Sequence, residues 1–217
     1  MIQEIRRKGK RKTQDPCEAC SMHRTRCLCH LVPTLNLRTR LTLVIHAKEL
    51  NRATNTGTLA AKAIIGSHTI VRGMDRGGCD LSSLILPSHT NLFLYPSIDA
   101  IELNADYVST HLDPNRPVHL IVPDGNWRQA SKVHLRHKEL SSVQRVIVCG
   151  RKAESRFLRQ EHHPQGLATL QAIAYALGAL ESELACLQLL DLYREKLDRT
   201  LRGRGQLSAP EEKSATS

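Results

Sequence analysis

The chain has 217 residues, enough for one full domain with a buried core and a small appended module, but too few for two ordinary domains. No apolar run is long enough for a bilayer, and the basic N-terminal stretch lacks the apolar segment of a secretory signal, so a cytoplasmic protein with no membrane partner is expected. A formal net charge of +10 favours a polyanionic partner, RNA or DNA, over a merely solubilising surface, while only seven aromatic residues argue against a platform for stacking bases.

Residues 1 to 16 form a basic, polar arm without apolar periodicity, expected to be disordered in the absence of RNA. Cys17-x-x-Cys20 follows and then, after six residues, Cys27-x-Cys29. Two chelating pairs on one short segment in a reducing compartment suit tetrahedral Zn2+ better than disulfides. His30 could stand in for Cys29. Four protein ligands leave no position for water, so the metal is read as structural, and the module as residues 17 to 38.

The catalytic domain is placed at residues 39 to 202 and alternates strand-like and helix-like stretches, the pattern of an α/β fold. Strands are predicted at Arg40 to His46, Thr69 to Arg72, Asn91 to Tyr95, Val118 to Val122 and Arg145 to Cys149. Several are apolar almost throughout, as buried parallel strands tend to be. Helices are predicted at Thr58 to Ile65, Trp127 to Leu140, Leu167 to Leu180 and Glu183 to Leu201, the last from the spacing of Leu184, Leu187, Leu190, Tyr193, Leu197 and Leu201. Residues 203 to 217 form a polar tail, also expected to be disordered.

The first strand leads into the loop Arg52 to Gly57, in which Asn55 and Thr56 precede a helix; the loop could hold an anion on backbone N–H groups or be a simple turn and cap. Arg52, Asn55 and Thr56 are candidate RNA contacts, and Arg52 and Arg72 are candidates for phosphate or carboxylate alike. The strand at Val118 ends in Pro123-Asp124-Gly125-Asn126, with Asn126 as a candidate cap for the helix that starts at Trp127. Ligands of open α/β sheets collect where strands end and helices begin, which singles out Asp124 as a catalytic candidate, with Asn126 and Trp127 beside it. Arg128, Lys132 and Arg136 recur every four residues and share a helical face that starts at Asp124. That face could carry a phosphate backbone, or simply be solvated. Arg151, Lys152, Arg156 and Arg159 form a second basic cluster, read as RNA-binding. His134, His137, His162 and His163 lack a third ligand at metal-binding spacing and read as surface histidines. Cys79, Cys149 and Cys186 read as packed thiols.

Several segments taken together, C-x2-C-x6-C-x-C, HAKELNRATNTGTLAAKAI from His46, LFLYPS from Leu92, PDGNWRQASKV from Pro123 and GLATLQAIAYAL from Gly166, resemble the DTW-domain family of tRNA-uridine aminocarboxypropyltransferases. The sequence departs from the family pattern at Asn126, where the family has Thr, and at Ala168 and Gln171, within a motif that more usually reads S-T-x-E-A. The resemblance implies a SPOUT-like, mostly parallel sheet flanked by helices with a C-terminal knot. It also implies an S-adenosyl-L-methionine site formed by Leu94, Tyr95, Pro96 and Ser97, by Pro123 and Gly125 beside Asp124, and by Gly150 to Thr169, with Gly150, Leu167 and Thr169 as contacts.

The implied activity is transfer of the 3-amino-3-carboxypropyl group to N3 of a tRNA uridine, releasing methylthioadenosine. Asp124 would act as general base towards N3–H, desolvated against Trp127, or would orient a substrate. The competing readings are a methyltransferase of the same fold and a non-catalytic zinc module that binds RNA. The partner implied is tRNA, and no feature calls for an obligate protein partner.

Overall fold

The computed structural model describes residues 13–74, 79–149, 158 and 166–206. Six strands build one sheet: β1 (Arg40–His46), β2 (His68–Arg72), β3 (Thr90–Leu94), β4 (Ile101–Glu102), β5 (Val118–Asp124) and β6 (Gln144–Ile147). Their order is β2-β1-β5-β3-β6-β4, and every pairing is parallel. All strands therefore point their carboxyl ends at one edge. The helices are α1 (Ala47–Leu50), α2 (Gly57–Ala63), α3 (Ala105–His111), α4 (Trp127–Arg136), α5 (Thr169–Leu180) and α6 (Glu183–Gly203).

Alternation along the strands builds two cores. Leu41, Leu43 and Ile45 of β1, Leu92 and Leu94 of β3 and Leu120 and Val122 of β5 face the layer that holds α2, α3, α5 and α6. Val44, Phe93 and Ile121 face the other way, against Val133 of α4 and the loop residues Leu81 and Leu84. β2 and the two-residue β4 lie at the edges of the sheet.

The predicted β1 keeps its limits, while the other strands shift by a residue or two. β5 continues through Pro123 to Asp124. Its pairing with β3 stops at Phe93 opposite Ile121, but its pairing with β1 runs on to Ile45 opposite Asp124. Pro123 thus lies where β5 has a neighbour on one side only, which tolerates a residue without an N–H. The helix predicted from Trp127 to Leu140 stops at Arg136 and resumes as a tight turn at Lys138–Leu140. On α6, Leu190, Tyr193, Leu197 and Leu201 are buried as their spacing predicts, whereas Leu184 and Leu187 are exposed; Ala185, Cys186 and Leu189 occupy the inward face of that first turn.

The four-cysteine segment packs into the first core, to which it contributes Cys20, Met22 and Leu28 beside Leu197 and Leu201 of α6. Arg199 of α6 donates to the Cys27 carbonyl, and Thr200 donates to the Met22 sulfur at 3.8 Å. Among the described residues no helix is long and apolar enough to cross a membrane. Most of the stretch on which the implied knot depends lies outside the described residues.

A buried polar chain crosses the sheet near the start of its strands. Asn91 of β3 accepts from His119 Nδ1 at 3.2 Å, and His119 Nε2 in turn accepts from Thr42 Oγ1 at 2.8 Å. Asn91 is itself oriented, its oxygen accepting from Leu86 N and its Nδ2 donating to Leu86 O. This chain of bonds suits a neutral imidazole with its proton on Nδ1. Burial, helped by the charge of Arg40, holds the His119 pKa down at about 4 against an ordinary 6.5.

An unfolded chain takes up this proton near the ordinary value while the folded chain resists until about pH 4. Stability from this residue is therefore present above pH 6.5 and is lost as pH falls towards 4. The expected loss is about 3 kcal/mol over that window. Chemical denaturation of the wild type and His119→Asn at intervals from pH 7 to pH 4 should show the gap between them shrinking by that amount; a constant gap would contradict it.

Candidate active site

β5 delivers Asp124 to the carboxyl edge of the sheet, and the two-residue alternation that turns Leu120 and Val122 towards α5 turns Asp124 the same way. The carboxylate is 6% exposed. A carboxylate removed from water must find donors. Asn55 Nδ2 donates to Oδ2, and Thr169 Oγ1 donates to Oδ1 at 2.6 Å. Asn55 also accepts from the N–H and hydroxyl of Thr58 through Oδ1, both at 3.0 Å, so the same side chain fastens the start of α2. Thr169 is the first residue of α5, and the next amide, Leu170 N, donates to Thr56 Oγ1 at 3.3 Å. The N-termini of α2 and α5 thus converge on Asp124, with their positive ends towards the anion.

This convergence leaves no room at Gly57. A Cβ there would meet Asp124 Oδ2 at 2.9 Å and Leu43 Cδ1 at 3.1 Å. Gly125 is under a similar constraint from Gln129, whose Oε1 accepts from Asn126 N while its own N–H donates to Asn126 Oδ1 at 2.9 Å. Asn126 is therefore the cap of α4, and its side-chain oxygen is committed to that helix. Arg72, at the end of β2, donates to the Gln129 carbonyl at 3.0 Å and so holds the same turn. His46 caps α1 through Lys48 N, and burial beside Arg72 holds its pKa below the ordinary value.

These elements enclose a cavity of about 640 Å3. Of the residues singled out in the sequence, the structure brings together Arg52, Asn55, Thr56, Leu94, Tyr95, Pro96, Pro123, Asp124, Gly125, Asn126, Trp127, Arg128, Leu167 and Thr169 in its wall. Ser97, Lys132 and Arg136 lie outside the wall; Lys132 and Arg136 continue along α4 from Arg128, and Arg136 is exposed. Gly150, Arg151, Lys152, Arg156, Arg159, His162 and His163 lie outside the described residues. Trp127, expected to desolvate Asp124, is 41% exposed at the cavity's edge. Asn55, Gly57 and Thr169 lie against the Asp124 carboxylate.

Glu49, Leu158 and Tyr193 line the cavity without having been singled out for it. Glu49 stands three residues before Arg52, a spacing that pairs side chains on a helix, but α1 is too short to announce itself in the sequence. Tyr193 has the apolar spacing of a core residue on α6, and nothing in that spacing shows that it reaches a cavity. His134, read as a surface histidine, stacks on Tyr95 with ring centroids 5.2 Å apart and accepts from Arg145 Nε at 2.8 Å. It stiffens the wall residue Tyr95.

Outside the cavity, the four sulfurs of Cys17, Cys20, Cys27 and Cys29 lie within 4.8 Å of one another. The Cys17–Cys29 and Cys20–Cys27 separations are 3.8 Å and Cys17–Cys27 is 3.5 Å. Sulfurs about 2.3 Å from a tetrahedral ion sit about 3.8 Å apart, so the set fits Zn2+. Backbone N–H groups of Cys20 and Ala19 pull the Cys17 thiol down to about 6, while burial and the neighbouring sulfurs push Cys29 up to about 12. Crowded thiols cannot all ionise together without a cation, and a divalent metal removes that conflict. His30 is exposed and is not one of the clustered ligands.

A DTW-domain family model matches residues 14–201 of the chain. The tRNA-uridine aminocarboxypropyltransferase 2 of Macaca fascicularis is 27% identical over 176 residues, which cover 78% of this chain and 58% of that protein. The mouse protein of the same name is 26% identical over 178 residues, covering 79% and 58%. The tRNA-uridine aminocarboxypropyltransferase A of Arabidopsis thaliana is 26% identical over 192 residues, covering 77% and 73%. The chain thus spans less than two thirds of the length of the macaque and mouse relatives. No solved structure matches it significantly.

Metal analysis of the purified protein should find one zinc per chain. Its removal by a chelator should lower Tm by roughly 5 °C or more, because the cluster shares a core with α6. An unchanged melting curve after complete removal would show that the cysteines hold no structural metal.

Proposed function

This chain belongs to the DTW-domain family, and from that membership we propose that it modifies tRNA in the cytoplasm, transferring the 3-amino-3-carboxypropyl group of S-adenosyl-L-methionine to N3 of a uridine and releasing methylthioadenosine. The relatives that carry this activity in their names support the class of reaction. The observation that carries the reading to particular atoms is the buried Asp124 carboxylate in the wall of a cavity at the carboxyl edge of a parallel sheet, where such folds bind their ligands.

The cavity fits the donor. Its volume of about 640 Å3 lies within the range of roughly 300–1,000 Å3 usual for pockets that enclose small molecules. Its wall combines the apolar Leu94, Pro96, Pro123 and Leu167 with the polar Tyr95, Thr169 and Gly125 backbone, and these residues would hold the donor. When bound, the donor supplies an electrophilic carbon next to a sulfonium. Asp124 accepts the uracil N3 proton as the N–C bond forms and the C–S bond breaks. Trp127, exposed beside it, offers a ring face to the base, and Arg128, Lys132 and Arg136 lead away along α4 as contacts for the tRNA backbone. Asn55 and Thr56 shape the wall through Asp124 and α5. Zn2+ held by Cys17, Cys20, Cys27 and Cys29 would be structural.

A second reading, in which Asp124 only orients a substrate, rests on the hydrogen bonds its two oxygens accept from Asn55 and Thr169, which stabilise the ionised form and weaken it as a base. Asp124→Asn separates the two roles. The amide keeps the shape, its oxygen can accept from Asn55, and the Thr169 hydroxyl can reverse to accept from its NH2. If Asp124 is the base, turnover should fall about 100-fold or more while affinities for donor and tRNA stay within about threefold. Turnover near normal would exclude proton transfer to Asp124. Mass spectrometry of nucleosides from the treated tRNA identifies the transferred group, and a methylated product would overturn the proposed reaction.

A further inference from the structure

The sequence offers Arg52 as a contact for RNA, or for phosphate or carboxylate alike, and the structure places it in the cavity wall together with a buried carboxylate. Glu49 has 1% of its side chain exposed, and its Oε1 lies 2.8 Å from Arg52 Nη1; Arg52 itself is 32% exposed. Glu49 is thus inside the protein, and Arg52 spans from it towards the open cavity. The backbone repeats the link. Arg52 N donates to the Glu49 carbonyl at 3.2 Å, and Asn55 N donates to the Arg52 carbonyl at 2.8 Å. Asn55 is the residue that donates to Asp124. Two successive turns of chain therefore carry Glu49, Arg52 and Asn55 along one wall of the cavity that also holds Asp124.

A guanidinium has five N–H donors, so an ion pair to one carboxylate leaves donors for a second. A charge-assisted contact to a carboxylate that is itself buried limits the directions the guanidinium can take. A guanidinium held in the wall of a cavity sized for a small molecule is complementary to a carboxylate carried into it. The transferred group in the reaction above carries one.

Building on the function proposed above, we infer that Arg52 binds the α-carboxylate of the donor's amino-acid end and that Glu49 is the positioning residue that aims it. Arg52 then selects a donor that carries a carboxylate, and Glu49 acts only through Arg52. The contact belongs to the small-molecule site and not to the tRNA interface.

Methylthioadenosine supplies the test, because it shares the nucleoside and sulfur of the donor and lacks the amino acid. Binding of S-adenosyl-L-methionine and of methylthioadenosine is measured by calorimetry on the full-length, zinc-loaded protein. The proteins compared are wild type, Glu49→Gln, Arg52→Gln and the double variant, in which no unpaired charge is left buried. Affinity for the donor should fall about 10- to 100-fold in Arg52→Gln and in the double variant, and by a smaller factor in Glu49→Gln. Affinity for methylthioadenosine should stay within about twofold in all three, which also reports that the cavity is intact. Equal losses for both ligands, or no loss for either, would overturn the inference and leave the proposed reaction standing. A wild type that binds neither ligand would overturn both. Loss of tRNA affinity with donor binding unchanged would return Arg52 to the RNA interface and overturn the assignment.

Discussion

The arrangement of the carboxyl edge depends on one buried carboxylate. Asp124 ends the central strand β5 on the side of the sheet that the helices cover, and at that place it can stay in the fold only if donors reach both oxygens. The two donors come from segments far apart in the chain, residue 55 and residue 169, and each is tied to the start of a helix. Satisfying one charge therefore fixes where α2 and α5 begin. The space between those helix starts and the ends of β3 and β5 is the cavity. Gly57 follows from the same demand, since any side chain there would occupy the place of the carboxylate.

The same logic explains which parts of the fold could be read in the sequence. β1 was legible to the residue because RLTLVIH is apolar on both faces and polar at both ends. The side towards which Asp124 points was implicit in VHLIVPD once the strand is carried through the proline, since residues 120, 122 and 124 alternate together. What hid this is the rule that proline ends a strand; here β3 stops pairing before Pro123 and removes the objection. β4, two residues long, and α1, four residues, are too short to show any period, and tertiary contacts define them.

The cavity was partly legible for a related reason. Residues at strand ends were recognisable as such, and Leu94, Tyr95, Pro96, Pro123 and Asp124 do line it. Residues that reach it through packing carried no local mark. Tyr193 has the spacing of a core helix, and Arg52 has the composition of an RNA contact in a basic protein; only the three-dimensional position of Glu49 shows what Arg52 is held against. The cysteine cluster was the most legible feature, because chelation depends on spacing that the chain itself displays. That it packs on α6 was not, since the contacts run between residues such as Cys27 and Arg199, 172 positions apart.

The departures of this chain from its family's motifs fall on helix starts. Asn126 stands where the family name records Thr, and the structure shows its side chain capping α4, a task that Thr and Asn perform comparably. Gln171 replaces a usual Glu at the third position of α5 and accepts from Ala168 N at 3.1 Å, which a Glu would also do. Ala168 gives up a side-chain cap, a loss of about 1 kcal/mol. Thr169, next to it, is unchanged and donates to Asp124. A substitution at a cap alters how firmly a helix begins, whereas one at Asp124, Asn55 or Thr169 leaves a buried polar group without its partner.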